Sequence, residues 1–336
     1  METMLRSVSL SGYFDVALRV GLNAVELARE AGLEAASLAN PDERIPAAAA
    51  CLLLERSAEQ ASCQTFALQM AATRSGFAAG VVDVLLAHKR TLREVLLVGT
   101  TYGQLLNEAL AVHVEDTGAT VTIREELVVD KGVARNQAVE LAVGVLARHS
   151  SARLGEHWKP RAVHFVHQAP RSLVFHRRFF GCPVEFGSDF NGIVCATADL
   201  DYPNPSADPE LARYAQDLAE SLNVAGVDST ALEVRKAIYL LLPLGQATVE
   251  QVAAHLCMSV RTMQRQLELA NTSFSRLTEG VRYELAVRFM SNSRYPIGRV
   301  SGLVGYSHQG TFTNWFVGRF GMTPRDWRNS RTRRLC

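Results

Sequence analysis

The 336-residue sequence predicts an α+β domain in front, followed by an all-α domain in which two helix-turn-helix units are joined by one long helix. Three observations carry this. Apolar residues recur at three- and four-residue steps through most of the first hundred positions, alternate from about Gly118 onward, and return to helical spacing in the C-terminal third. The C-terminal third also has its own charge balance. From Ser229 onward there are 15 Lys and Arg against 6 Asp and Glu, whereas Met1 to Asp228 holds 20 against 28, which leaves a net charge of only +1. A basic tail behind an acidic body suits a polyanion-binding module joined to a part that does not bind polyanions.

In chain order, Phe14, Leu18, Leu22, Val25 and Ala28 mark an amphipathic helix from Tyr13 to Ala31, ended near Gly32. NPDERIP (Asn40 to Pro46) is a turn. Helices are expected at Ala47 to Gln60, Phe77 to His88 and Leu92 to Val112. TVTIREELVV (Thr120 to Val129) alternates as a strand, Gln137 to His149 reads as helix, and RAVHFVHQAP and CPVEFGSDFNGIVCA read as further strands separated by a turn. The three prolines of DYPNPSADPE (Asp201 to Glu210) give the clearest boundary. The expected division is therefore 1–202 as the α+β domain, 203–228 as a linker with a linker helix (Leu211 to Leu222), and 229–336 as the helical domain, opened by a helix from Thr230 to Leu242.

An apolar content of 48% with 21% charged residues is that of a globular chain, and its length suits two or three domains. The six cysteines form no CxxC pair, so reduced thiols in a cytoplasmic protein are expected. No signal-peptide pattern opens the chain, and no apolar run reaches the roughly 18 residues of a membrane span.

The first helix-turn-helix unit runs from Thr248 to Leu269 and the second from Pro296 to Gly321, with Ser259 and Ser307 at matching places 48 residues apart. If the long helix between them holds their exposed helices roughly 34 Å apart, both meet successive major grooves of B-DNA. In the first unit Met263 and Leu267 face inward, leaving Arg261, Gln264, Arg265 and Glu268 outside. Arg forks onto guanine O6 and N7, and Gln matches adenine N6 and N7, so Arg261, Gln264 and Arg265 are expected base readers. In the second unit Phe312, Trp315 and Phe316 form the buried side, which sets Gln309, Gly310, Thr313 and Asn314 outward. Of these, Gln309, Thr313 and Asn314 complete the base-reading set, and this half is expected to read less strictly. Arg276, Arg282, Arg288, Arg294 and Arg299 are the candidates for phosphate contacts, which position without reading sequence. Thr323 and Pro324 open a closing helix. Any arginine-bearing amphipathic helix looks somewhat like this; two units in tandem within the basic segment favour double-stranded DNA.

The C-terminal hundred or so residues resemble the DNA-binding domain of the AraC/XylS family of bacterial transcription regulators, through PIGRVSGLVGYSHQGTFTNWFVGRFGMTPRDWR. The resemblance implies a bipartite recognition surface on one polypeptide and, in the usual family outcome, activation through RNA polymerase at promoter DNA, although repression from the same surface is equally possible physically. Three positions depart from the family pattern. Cys257 stands where the first turn usually has Gly, His308 replaces the usual Ser or Asp cap, and Asn314 stands where Arg is common.

The front part resembles the companion domain of the subgroup that includes ornithine-utilisation regulators, in its NPDERIP turn, TLREVL segment and FFGCPVEFGSDFNGIVC run, and differs from the cupin-like sugar-binding barrel of the founding member. The resemblance implies a domain that senses a small-molecule effector, forms a homodimer, or both. Phe165, Phe175, Phe179, Phe186 and Phe190 are candidates to line an apolar effector pocket, with core packing as the alternative. His164 and His167, three apart on a strand, point to opposite faces and have no suitably spaced carboxylate or thiol, so no metal and no cofactor is expected. Cys182 and Cys195 are far enough apart to form a redox pair, though nothing requires one. The sequence offers no GxSxG, P-loop or dinucleotide fingerprint, so no catalytic residue is assigned and an enzyme targeted to DNA ranks below an architectural DNA-binding protein as the competing reading.

Overall fold

The computed structural model describes residues 2–74, 81–130, 132–155, 158–224, 230–292 and 294–332, and the chain divides into two compact units, Met1–Val227 and Asp228–Cys336. In the first unit, β1 (Met4–Arg6) is followed by α1 (Tyr13–Arg19), α2 (Ala24–Glu30) and α3 (Ala35–Ala39), and then by β2 (Arg44–Pro46), which pairs antiparallel with β1. The single helix expected from Tyr13 to Ala31 is thus two. Asn23 interrupts it, because its side-chain oxygen accepts from the Glu26 amide at 3.3 Å and starts a new helix. The NPDERIP stretch likewise ends in a strand, since Arg44–Pro46 finds a partner in Met4–Arg6.

Next come α4 (Ala47–Gln60), α5 (Phe66–Thr73), α6 (Val81–Ala87) and α7 (Leu92–Tyr102). The first part of the helix expected at Phe77 to His88 lies outside the described residues. Leu53, Leu54, Phe66, Leu68 and Met70 are fully buried, so α4 and α5 form the centre of the core. Thr91 starts α7 by accepting from the Glu94 amide at 3.2 Å. The helix stops at Tyr102, short of the Val112 that its apolar spacing suggested, because Leu110–Asp116 alternates and becomes β3.

The chain continues through β4 (Thr120–Leu127), α8 (Asn136–Leu154), β5 (Ala162–Phe165), α9 (Val174–Phe180), β6 (Val184–Phe186) and β7 (Gly192–Ala196). A helix, α9, therefore stands between strands for which only a turn was expected. The sheet order is β3-β4-β7-β5-β6, antiparallel except for the β5–β6 pair. Gly192 permits the β7–β4 pairing: a Cβ there would stand 2.0 Å from the Ile123 carbonyl oxygen. On β4, Val121, Ile123, Glu125 and Leu127 share one face by the two-residue period, and Val121 and Ile123 pack against Leu92, Val95 and Leu96 of α7. After β7, α10 (Pro209–Val224) lies on α6 and buries Ala212, Ala215 and Ala219.

The second unit is helical among its described residues. It comprises α11 (Thr230–Leu241), α12 (Val249–His255), α13 (Val260–Leu269), the long α14 (Phe274–Met290), α15 (Ile297–Leu303), α16 (Gln309–Phe320) and α17 (Pro324–Thr332). α11 packs on α14, where Arg235 meets Glu284 at 3.1 Å, and the apolar row Val281, Leu285 and Phe289 of α14 is buried. Phe274 and Leu277, expected in that row, are only half-buried near the helix start. Among the described residues no helix is long and apolar enough to cross a membrane.

Candidate nucleic-acid interface

The first helix-turn-helix unit is α12 and α13. Thr248 and Gln251 form a reciprocal capping box at the start of α12: the Gln251 amide donates to Thr248 Oγ1 at 3.2 Å, and the Thr248 amide donates to Gln251 Oε1 at 3.3 Å. The turn passes through Cys257, which takes a left-handed φ of 53° without being glycine. Ser259 then caps α13 by accepting from the Thr262 amide at 3.1 Å. Met263 and Leu267 are sealed inside, so the helix cannot roll, and Arg261, Gln264, Arg265 and Glu268 are held in water on the opposite face.

The second unit, α15 and α16, repeats the plan with a different turn. Gly305 has a φ of 81°, and a Cβ there would stand 2.6 Å from Leu242 Cδ1. His308 is the residue before α16 and makes no side-chain cap, so this helix is held by packing rather than by its start. Phe312 and Phe316 are fully buried, each contributing roughly 1.5–3 kcal/mol by burial, and Phe316 stacks on Phe320 at 4.1 Å. Glu279 of α14 fastens the outer edge. It accepts from Trp315 Nε1 at 2.9 Å, lies 3.4 Å from Arg319 and pairs with Arg282. Burial alone would raise this carboxyl, but the Trp315 hydrogen bond and the Arg282 charge hold it below its ordinary value.

Gln309 and Asn314 are exposed as expected. Thr313 is different. It is half-buried, and its hydroxyl donates to the Gln309 carbonyl at 2.9 Å within its own helix, whereas Thr311 is exposed. Residues 311, 314 and 318 follow helical steps opposite Phe312 and Phe316, so the buried aromatic pair could have pointed to Thr311 from sequence.

Of the arginines expected at phosphates, Arg276 and Arg294 are exposed with no ion-pair partner among the described residues, as are Arg261 and Arg265 of the base-reading set. Arg299 is exposed, and Arg288 is half-buried beside the Phe289 ring at 5.8 Å. Arg282 is a correction. It is half-buried, donates Nε to the Val304 carbonyl at 3.1 Å and lies over the Tyr306 ring at 4.7 Å, so it joins α14 to the turn after α15 instead of reaching outward. Arg325, absent from the expected set, is exposed on the first turn of α17 without an ion-pair partner among the described residues.

The first unit contains a cavity of about 390 Å³ lined by residues of β1, α1, α4, α5, α6, α7, α8, β3 and β4 and of the segment between β1 and α1, with Leu54, Leu96, Val112, Leu127, Leu141 and Val145 among them. None of the five expected phenylalanines lines it. Phe165 is fully buried and stacks on Phe186 at 5.3 Å, Phe175 stacks on Phe179 at 6.4 Å, and Phe190 is covered by the Arg124 guanidinium at 4.3 Å. Phe165 lies in the core with Phe175, Phe179 and Phe186 packed against it, while the Phe190 ring lies against His164 at 4.6 Å. Among the titratable side chains on its lining are Glu125 and His149. Glu125 stands in the apolar row of β4, its Oε2 has no hydrogen-bond partner among the described residues, and burial pushes its carboxyl up to about 8. His149 is pushed down to about 3, by burial first and then by the charges of Arg153, Arg74 and Arg148. The sequence signal for Glu125 was its parity, an acid on the buried phase of an alternating strand.

His167 and His176 both reach Glu140, at 3.3 and 3.0 Å, in a buried joint between α8 and the β5–α9 segment, while His164 lies 3.1 Å from Ser188 Oγ. Among the described residues no group of three or more His, Cys, Asp or Glu is placed to hold a metal ion. Cys182 and Cys195 are free thiols, pushed up by burial to about 11 and about 12, which makes both poor thiolates.

Comparison with known proteins adds two family matches. Residues 21–204 match the model described as the arabinose-binding domain of AraC transcription regulator, and residues 252–330 match a helix-turn-helix domain. Over 98% of this chain and 97% of theirs, the sequence is 27% identical to the HTH-type transcriptional regulator VirS of Mycobacterium tuberculosis. It is 25% identical to the ornithine utilization regulator of Pseudomonas aeruginosa, over 61% of this chain and 65% of that one. The crystal structure of transcriptional regulator CdpR from Pseudomonas aeruginosa aligns over 82% of this chain and 91% of its own, with 18% identity and a TM-score of 0.40.

Proposed function

The chain belongs to the AraC family of helix-turn-helix transcription regulators, and we propose that it reads promoter DNA with α13 and α16 under the control of a small molecule held in its first unit. The observation that carries the reading is the outer face of α13. Arg261, Gln264 and Arg265 project from one side of a helix whose other side is fixed by Met263 and Leu267, and the two guanidiniums are committed to no carboxylate among the described residues. Such groups keep their donors for base edges. Gln309, Thr311 and Asn314 form the second, weaker reading surface, with Thr313 limited to methyl contact by its internal hydrogen bond. Arg276, Arg294, Arg299 and Arg325 serve the phosphates, and Arg288 contributes at the edge of that set.

The division of labour falls between the two compact units, with Met1–Val227, α10 packed on α6 included, as the sensing and dimerising part and Asp228–Cys336 as the reader. Effector binding shifts the population of reader arrangements and so changes affinity for paired sites in a homodimer, with RNA polymerase as the downstream partner. The first unit acts as a sensor rather than an enzyme, in keeping with relatives that are named as transcription regulators. The test is selection of bound sequences from random DNA with the wild type and Arg265→Ala. The mutant motif should lose stringency at one or two positions, a loss of about 1–3 kcal/mol of discrimination each. Uniform weakening on all sequences would demote Arg265 to a phosphate contact.

A further inference from the structure

The cavity of the first unit is poorly suited to a sugar. Each hydroxyl of a polyol needs a hydrogen-bond partner when buried, and each one left unmet weakens binding. The polar side chains on the lining are largely engaged with the protein itself. Ser11 Oγ donates to the Val8 carbonyl at 2.6 Å, Thr73 Oγ1 donates to the Met70 carbonyl at 2.9 Å, and Asn107 Oδ1 accepts from the Ala109 amide at 2.9 Å. Arg74 donates to the Ser9 carbonyl, and Asp15 is exposed. Aliphatic side chains from α4, α7, α8, β3 and β4 make up most of the remaining wall. Against that wall stands Glu125 Oε2, a buried acceptor without a hydrogen-bond partner among the described residues.

We propose that this cavity binds an uncharged, largely apolar small molecule ending in a single hydrogen-bonding group, seated on the Glu125 carboxyl. The idea rests on the reading of the first unit as an effector sensor and names the effector's chemical class. About 390 Å³ is the lower part of the range in which small-molecule pockets fall, and a mostly apolar wall with few placed polar groups is their usual make-up. A carboxyl that stays protonated at neutral pH donates as well as accepts, so an alcohol, ketone or ester oxygen is served without burying a charge. The buried acid that costs stability in the empty protein thereby becomes the group that orients the ligand.

The experiment uses the full chain and three probes: decanol for the uncharged apolar class, decanoate for its charged counterpart, and arabinose for a polyol. Binding is measured by calorimetry and by thermal shift. Decanol should bind saturably. Glu125→Leu should weaken decanol about tenfold while folding at least as stably as the wild type, because it removes a buried polar group without a partner. Gly99→Leu should abolish binding, since Gly99 lines the cavity on α7 with open space beyond its Cβ position and leucine favours the helix. Arabinose or decanoate binding more tightly than decanol would overturn the ligand class. Equal decanol binding by wild type and both variants would overturn the location, and no binding of any probe would reduce the cavity to a packing void. Operator affinity is read separately, on the DNA recovered by selection. If decanol fills the cavity and leaves that affinity unchanged, the site stands and the sensor reading falls.

Discussion

Replacing Glu125 with glutamine converts a buried acid into a neutral group of the same shape, and the consequence is a stability difference that depends on pH. The folded-state carboxyl is raised from an ordinary value of 4.5 to about 8 by burial. The folded protein therefore keeps its proton between those values, while the unfolded chain has released it. Stability is fully present below about pH 4.5 and is lost as pH rises toward 8. Linkage puts the loss at about 2 kcal/mol near pH 6 and about 4 kcal/mol near pH 8, because each tenfold difference in proton affinity between the folded and unfolded chain is worth about 1.36 kcal/mol. His149 contributes an opposite limb, because a histidine held near 3 loses stability as pH falls below its ordinary 6.5. That limb is common to both proteins and cancels in the comparison. The assay is denaturant unfolding of wild type and Glu125→Gln across pH 4.5 to 8, read as the difference in midpoint free energy. The two should agree at the acid end, and the variant should become progressively the more stable as pH rises. A difference that stays flat over this window would mean that Glu125 is ionised or solvated in the folded protein, and the argument from its burial would fail.

Glu279→Ala should cost about 2 kcal/mol and loosen α16, because it leaves Trp315 Nε1 and the Arg282 guanidinium without their shared acceptor; slower DNA association with faster loss of α16 amide protection in hydrogen exchange would register it. The two turns should respond in opposite ways. Gly305→Ala should destabilise by about 2–3 kcal/mol, from a left-handed backbone and a clash with Leu242, whereas Cys257→Gly should be neutral or stabilising by about 1 kcal/mol, as thermal midpoints would show. His176→Ala should destabilise the first unit by about 3 kcal/mol, since it removes one of the two imidazoles on the buried Glu140, and urea midpoints at an unchanged slope would measure this.

The second unit was readable because its signals are local. Capping residues such as Ser259 and Ser273 sit directly before their helices, and the pairs Met263–Leu267 and Phe312–Phe316 fix which face is outside. Where the reading missed, the deciding partner was remote. Charge alone points Arg282 outward, but the Val304 carbonyl and the Tyr306 ring, which lie beyond the next helix, draw it in. Helical phase alone points Thr313 outward, and Thr311 is the residue that the packing of Phe312 exposes.

In the first unit the periodicity of single elements was sufficient for α4 and, within two residues, for β4, whereas α8 continues to Leu154, five residues past the expected His149. Periodicity was insufficient for Arg44–Pro46, whose strand character exists only because Met4–Arg6 pairs with it, and for the break at Asn23. The sequence by itself determined the fold class, the tandem reader and the basic segment that holds it, since charge, capping and helical period are properties of neighbouring residues. Tertiary structure alone decided where space was left unfilled. A cavity is a mismatch among side chains from many elements distant in the chain; the parity of β4 marks Glu125 as an acid on the buried face, but only the packing of those elements leaves space beside it.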